Sequence, residues 1–125
     1  MGQEQLKQEF YQVMKLASRA GAMIGRKVEA RPKQEVWSFY APNKFGGAPK
    51  NFAHARWRKR DKCLRISTKE EWAIRASEDK SYDGRKENAW WGIDAEVYWD
   101  MLQDSVASLE KVASILAKVC EARHH

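Results

Sequence analysis

Six basic side chains fall within the run NFAHARWRKRDKCLRI, residues 51–66: Arg56, Arg58, Lys59, Arg60, Lys62 and Arg65. Guanidinium and ammonium groups at this density neutralise phosphates or carboxylates, and arginine adds bidentate hydrogen bonds. The spacing suits a surface. Ala53, Ala55 and Trp57 alternate with His54, Arg56 and Arg58, so a strand turns the apolar set one way and the basic set the other. Arg60, Asp61 and Lys62 fit a hairpin turn crowned by Lys59, Arg60 and Lys62. From Cys63 to Ser67 the alternation resumes, with Leu64 and Ile66 inward and Arg65 outward. Like charges sharing one sheet face repel one another unless solvent or a partner screens them. Two readings compete: a solvated face whose charges discourage edge-to-edge aggregation, and a platform for a polyanion.

Neighbouring residues extend the second reading. Lys44 and Lys50 flank a loop, APNKFGGAPK, that carries Phe45 near its tip, while Arg31 and Lys33 precede the first expected strand. Aromatic rings beside arginine suit stacking on unpaired bases, and the cations suit phosphates. The candidate nucleic-acid-binding set is therefore Arg56, Arg58, Lys59, Arg60, Lys62, Arg65, Lys44, Lys50, His54 and Phe45. The alternative partner is an acidic protein surface, which the same charges would satisfy. A homodimer is compatible with either.

Catalytic chemistry has weaker support. Asp94, Glu96, Asp100 and Asp104 suggest metal-dependent hydrolysis, but such sites usually need a lysine soon after the second carboxylate, and none follows Glu96 before Lys111. They read as surface charges on a helix or strand. His54 is the only internal histidine and has no nucleophile partner visible in the sequence. The loop lacks the Gly-Lys-Ser/Thr ending of a phosphate-binding loop. Cys63 and Cys120 have neither metal-site nor disulfide-framework spacing; Cys63 reads as a quiet structural thiol, with a pKa lowered by Lys62 and Arg65 as the alternative. Trp90-Trp91 reads as core or groove lining. No cofactor or metal is expected, and an enzyme is unmotivated.

The elements that would hold this surface follow from periodicity. Leu6, Phe10, Val13, Ala17, Ala20 and Ile24 recur at helical steps, and Gly25 is a natural exit. EVWSFY, residues 35–40, reads as a strand, followed by the runs 52–59 and 63–67. Thr68-Lys-Glu-Glu71 has the form of a capping box, so a short helix competes with further strand there. Residues 77–88 read as a loop. Val106, Leu109, Val112, Ala113, Leu116, Val119 and Cys120 mark a final helix. It starts either near Asp104–Ser105, after a strand over 96–101, or already at Asp94; the alternation of Val97, Trp99 and Met101 favours the strand. The expected fold is α+β: an antiparallel sheet of about four strands packed against N- and C-terminal helices. The alternative is a mostly α chain with one long helix from Asp94.

Composition agrees. With 125 residues, 43% hydrophobic and 32% charged, the chain suits one domain over 1–123, with His124 and His125 resembling a tag remnant. The six tryptophans are expected mostly as core anchors. No apolar run of spanning length and no signal-peptide pattern occurs, and two cysteines suit a reducing cytoplasm. The formal charge of +6 divides into +1 over residues 1–25, +9 over 26–65 and −4 over 66–125, so positive potential collects around the basic run.

At WWGIDAEV, residues 90–97, the chain resembles a small bacterial domain of unknown function, found alone or appended to restriction-type proteins. Trp91, Gly92, Asp94, Glu96 and Val97 carry the resemblance, with Asn51-Phe52 opening the second strand. It implies a helix, three strands, a loop bearing Trp-Gly, a last strand and a C-terminal helix, and it implies no catalytic residues. Together these features lead to the expectation of a non-catalytic nucleic-acid-binding module, in a bacterial or phage defence context suggested by the resemblance. The alternative is a protein-interaction module or small inhibitor that engages an acidic surface.

Overall fold

The computed structural model describes residues 3–34, 36–42, 48–58, 60–76, 85–87, 96–103 and 105–123. Helix α1 (Gln3–Ile24) leads into β1 (Glu29–Pro32), β2 (Trp37–Ala41), β3 (Lys50–Arg58) and β4 (Cys63–Lys69). Helix α2 (Glu70–Ala76), β5 (Arg85–Glu87), β6 (Glu96–Leu102) and α3 (Val106–Arg123) complete the α+β fold. Among the described residues the sheet has six strands in the order β1-β2-β3-β4-β6-β5, and every neighbouring pair is antiparallel. Helix α3 packs on both α1 and α2, so the three helices form one layer over one sheet face.

The two strands beyond the expected four are short and lie at the edges. Pro32 ends β1, where a missing N–H is tolerated because only one side of the strand is paired. The residues of β5, Arg-Lys-Glu, fall within a segment that reads as loop because three polar residues carry no alternation. The long helix from Asp94 does not form: residues 96–102 join the sheet between β4 and β5, and Ser105 caps α3 instead. Its Oγ accepts the Ser108 N–H at 3.1 Å, satisfying one of the donors left open at a helix start. Both halves of the Thr68 ambiguity are realised in sequence, strand to Lys69 and helix from Glu70. The Thr68 hydroxyl donates to the Phe52 carbonyl at 2.8 Å, so it ties β4 to β3 across the sheet.

Between the layers lie Val13, Leu16, Ala17 and Ala20 of α1, Phe39, Phe52, Leu64, Ile66, Val97 and Met101 of the sheet, and Val112, Leu116 and Val119 of α3. The buried stripe of α1 is rotated from the expected one: Leu16 is buried, whereas Phe10 is 52% exposed and lies against Trp37 at a ring separation of 5.8 Å. Gly25, at φ +64°, is the left-handed exit from α1. A bulge between Phe39 and Tyr40 lets Phe52 and Ala53, consecutive in β3, both be buried. Trp99 is buried, and Trp37, Trp57 and Trp72 are half-buried against the core, as the tryptophan content leads one to expect; Trp90 and Trp91 lie outside the described residues.

Candidate functional site

Strand alternation sorts side chains between the helix-covered face and its opposite. Trp37, Ala55, Ile66 and Trp99 align across four strands beneath the helices. One residue along, Arg31, Ser38, His54, Ser67 and Tyr98 form a row on the other face, crossing β1, β2, β3, β4 and β6. The next row toward the β3–β4 turn is Arg56, Arg65 and Asp100, and the one after it is Arg58, Cys63 and Leu102. Successive rows stand about 7 Å apart, two residues of strand rise. Among the described residues, no helix lies over this open face.

The expected basic set is divided by this geometry. His54, Arg56, Arg58 and Arg65 share the open face, as the alternation requires. Arg60 and Lys62 are exposed in the turn beside Arg58, with Lys62 at φ 49°. Lys50 begins β3, eight residues from Arg58 and so about 27 Å away, and it stays outside the cluster. Lys44, Phe45 and Lys59 lie outside the described residues. Further cations of this face include Arg31 and Lys33, within 4.4 and 5.5 Å of the Tyr40 ring centre. Arg31 also donates to Glu29 at 3.1 Å, which tempers the positive charge there.

Arg65 differs from the others. Its Nε and a terminal nitrogen donate to the two oxygens of Asp100 at 2.9 and 3.2 Å, a two-point clamp, and its guanidinium lies 3.9 Å from the Tyr98 ring centre. Its side chain is only 14% exposed. Arg65 thus acts as a fixed part of the face, half-neutralised, rather than as an outward cation. The clamp also makes the register tolerable: Arg56 stands directly opposite Arg65, and two unscreened guanidinium groups there would repel. Asp100, which reads as a surface charge in the sequence, is the residue that resolves this conflict. Its separation of 35 residues from Arg65 gives no local signal.

His54 has the nucleophile neighbour that the sequence hides. Its Nδ1 lies 3.0 Å from Ser38 Oγ, across the β2–β3 pair. Burial, and then the positive charge of Lys33, push the imidazole pKa below its ordinary value. Ser38 is 2% exposed, so its hydroxyl is closed to a substrate, and the pair serves as polar support inside the row. Of the two readings of Cys63, the alternative of a lowered pKa is not realised. Burial, with Asp100 and Asp61, raises the thiol pKa against the opposing pull of Arg65 and Arg58, which favours the quiet structural thiol. Cys120, in the helix layer, is pushed up to about 11 by burial. Among the described residues, no group of three or more His, Cys, Asp or Glu side chains is placed to hold a metal ion, and no helix is long and apolar enough to cross a membrane.

Two tyrosines complete the face. Tyr40 of β2 and Tyr98 of β6 are half-exposed, and each is stacked with an arginine, Arg31 and Arg65 respectively. Tyr98 alternates with buried Val97 and Trp99, a pattern that places it on the outer face from sequence alone. Tyr40 is masked by the aromatic density of its own strand, which favours reading every ring there as core. No family model, curated protein or solved structure matches the chain.

Proposed function

We propose that the chain is a non-catalytic nucleic-acid-binding module whose contact surface is the open sheet face and its basic hairpin end. The observation that carries this reading is the convergence of Arg56 and Arg58 on the face opposite the helices with Arg60 and Lys62 at its rim. Strand β3 and the turn that follows it deliver four cations to one end of one surface, and the clamp on Arg65 limits their mutual repulsion. A partner bearing regularly spaced anions matches such a surface better than an isolated anion does. A place in bacterial or phage defence rests on the resemblance of residues 90–97 alone.

Titration with labelled DNA and RNA at several salt concentrations tests the reading. Neutralisation of about four phosphates on duplex DNA gives a slope of log affinity against log salt near −3 to −4. The triple change Arg56→Glu, Arg58→Glu, Arg60→Glu is expected to abolish binding while the thermal midpoint stays close to that of the parent. Unaltered affinity in the triple variant would remove the site assignment. Binding to an acidic protein with none to nucleic acid would favour the interaction-module reading instead.

A further inference from the structure

We infer that the open face selects single-stranded over duplex nucleic acid, with the Arg31–Tyr40 and Arg65–Tyr98 stacks as two base-stacking stations at opposite sides of the face. The inference rests on the nucleic-acid reading above and adds the class of strand and the residues that would recognise it.

The two stations are alike in construction. In each, an arginine from one strand lies over the ring of a tyrosine from a neighbouring strand, at 4.4 Å for Arg31 on Tyr40 and 3.9 Å for Arg65 on Tyr98. Salt links to Glu29 and Asp100 hold the two guanidinium groups in place. A guanidinium fixed against a ring is a flat π-surface, and both planar arginine and tyrosine accept a base face. The stations stand on β2 and β6, three strand spacings apart and offset by one row, hence about 16 Å from one another. Between them run the half-buried His54 and Ser67, whose polar atoms suit base edges and sugar hydroxyls, with buried Ser38 supporting His54 from beneath. Arg56 and Arg58 lie one and two rows toward the hairpin, alongside this path, where a backbone crossing the sheet would place its phosphates.

The shape argues against a duplex. The duplex major groove is about 12 Å wide and admits a helix or a two-stranded ribbon. A face of six strands is about 24 Å across and stays outside it. The tyrosines are set into that face, and in a duplex the base faces they would need are occupied by neighbouring pairs. At the end of the face, the exposed Arg60 and Lys62 of the β3–β4 turn would reach phosphates without reaching bases. Unpaired bases expose their faces to such stations.

The test compares oligothymidylate and oligouridylate of about ten nucleotides, a usual footprint for one domain, with a duplex of equal length and an abasic strand of equal charge. Fluorescence anisotropy reads all four. The expected result is at least tenfold tighter binding of the single strands than of the duplex or the abasic strand. Tyr40→Ala and Tyr98→Ala should each weaken single-strand binding on the order of tenfold, the worth of one base stack, and leave duplex binding unchanged. Tyr98→Phe should bind as the parent does, because the ring is retained, and this separates stacking from a folding defect. Equal affinity for intact and abasic strands, or tyrosine-to-alanine variants that bind like the parent while the arginine-to-glutamate triple does not, would overturn the stacking stations and leave the polyanion face standing. Failure of every nucleic acid to bind would overturn both.

Discussion

The two faces of the sheet are built from the same strands, residue by alternate residue, yet they solve opposite problems. Toward the helices, Phe39, Leu64, Ile66, Val97 and Met101 are each 2% exposed or less and remove apolar area from water, the largest favourable contribution to folding. Away from them, Arg56, Arg65, Tyr98 and His54 are half-buried and held by charge, ring stacking and hydrogen bonds whose net worth is small. Stability therefore resides chiefly on one face, and the other is available for specificity. Substitutions on the two faces should separate accordingly.

The largest separation is expected for Phe39→Ala, which empties a fully buried ring and should cost about 3–5 kcal/mol in urea denaturation. Arg58→Ala, on the neighbouring strand but at its far end and on the open side, should change stability by no more than about 0.5 kcal/mol. Comparable losses for the two variants would erase the division between the faces.

Asp100→Asn sharpens the comparison because its two consequences have opposite signs. Removing the carboxylate leaves a guanidinium that is 14% exposed with half its partnership lost, a destabilisation of about 1–3 kcal/mol. The same change releases positive charge on the open face, so affinity for a polyanion should rise. Reduced affinity with unchanged stability would contradict the role assigned to the clamp.

A smaller effect concerns pH. The His54 pKa is lowered in the folded chain, so the unfolded chain binds more protons as pH falls. The associated stability is complete above the ordinary value of 6.5 and is lost as pH falls from there through the depressed folded value. His54→Gln should flatten that segment of a stability-versus-pH curve, and an undiminished slope in the variant would assign the titration elsewhere. Smallest of all is the exposed Arg19–Glu110 pair joining α1 to α3. Its hydrogen bond lowers the Glu110 pKa and raises that of Arg19, but both groups are in water. Glu110→Gln should leave the thermal midpoint unmoved within error at ordinary salt.

How much of this was legible in the sequence differs by distance along the chain. Period-two patterns are local, so the alternation of Ala53, Ala55 and Trp57 with His54, Arg56 and Arg58 placed the faces correctly, and Val97, Trp99 and Met101 did so for β6. Ser105 as the cap of α3 was readable for the same reason. The edge strands were hidden because Glu29–Pro32 and Arg85–Glu87 are too short and polar to carry a period. The rotated stripe of α1 was hidden because Phe10 fits the helical spacing as well as Leu16 does, and the packing of α1 against the rest of the core decides between them. Contacts between distant residues were not readable at all. Arg65 with Asp100, and Ser38 with His54, depend on strand order, and the order β4-β6 skips an element in sequence. The candidate site was therefore visible as a charge cluster but not as a set of paired and unequal arginines.

Amide chemical-shift mapping of the full chain against a short single-stranded oligonucleotide tests the central claim most directly. Perturbations concentrated at His54, Arg56, Arg58, Arg60, Lys62, Tyr40 and Tyr98, with the outer surfaces of α1 and α3 silent, are the predicted result. Shifts centred on those helices, or a spectrum unmoved at saturating oligonucleotide, would contradict it.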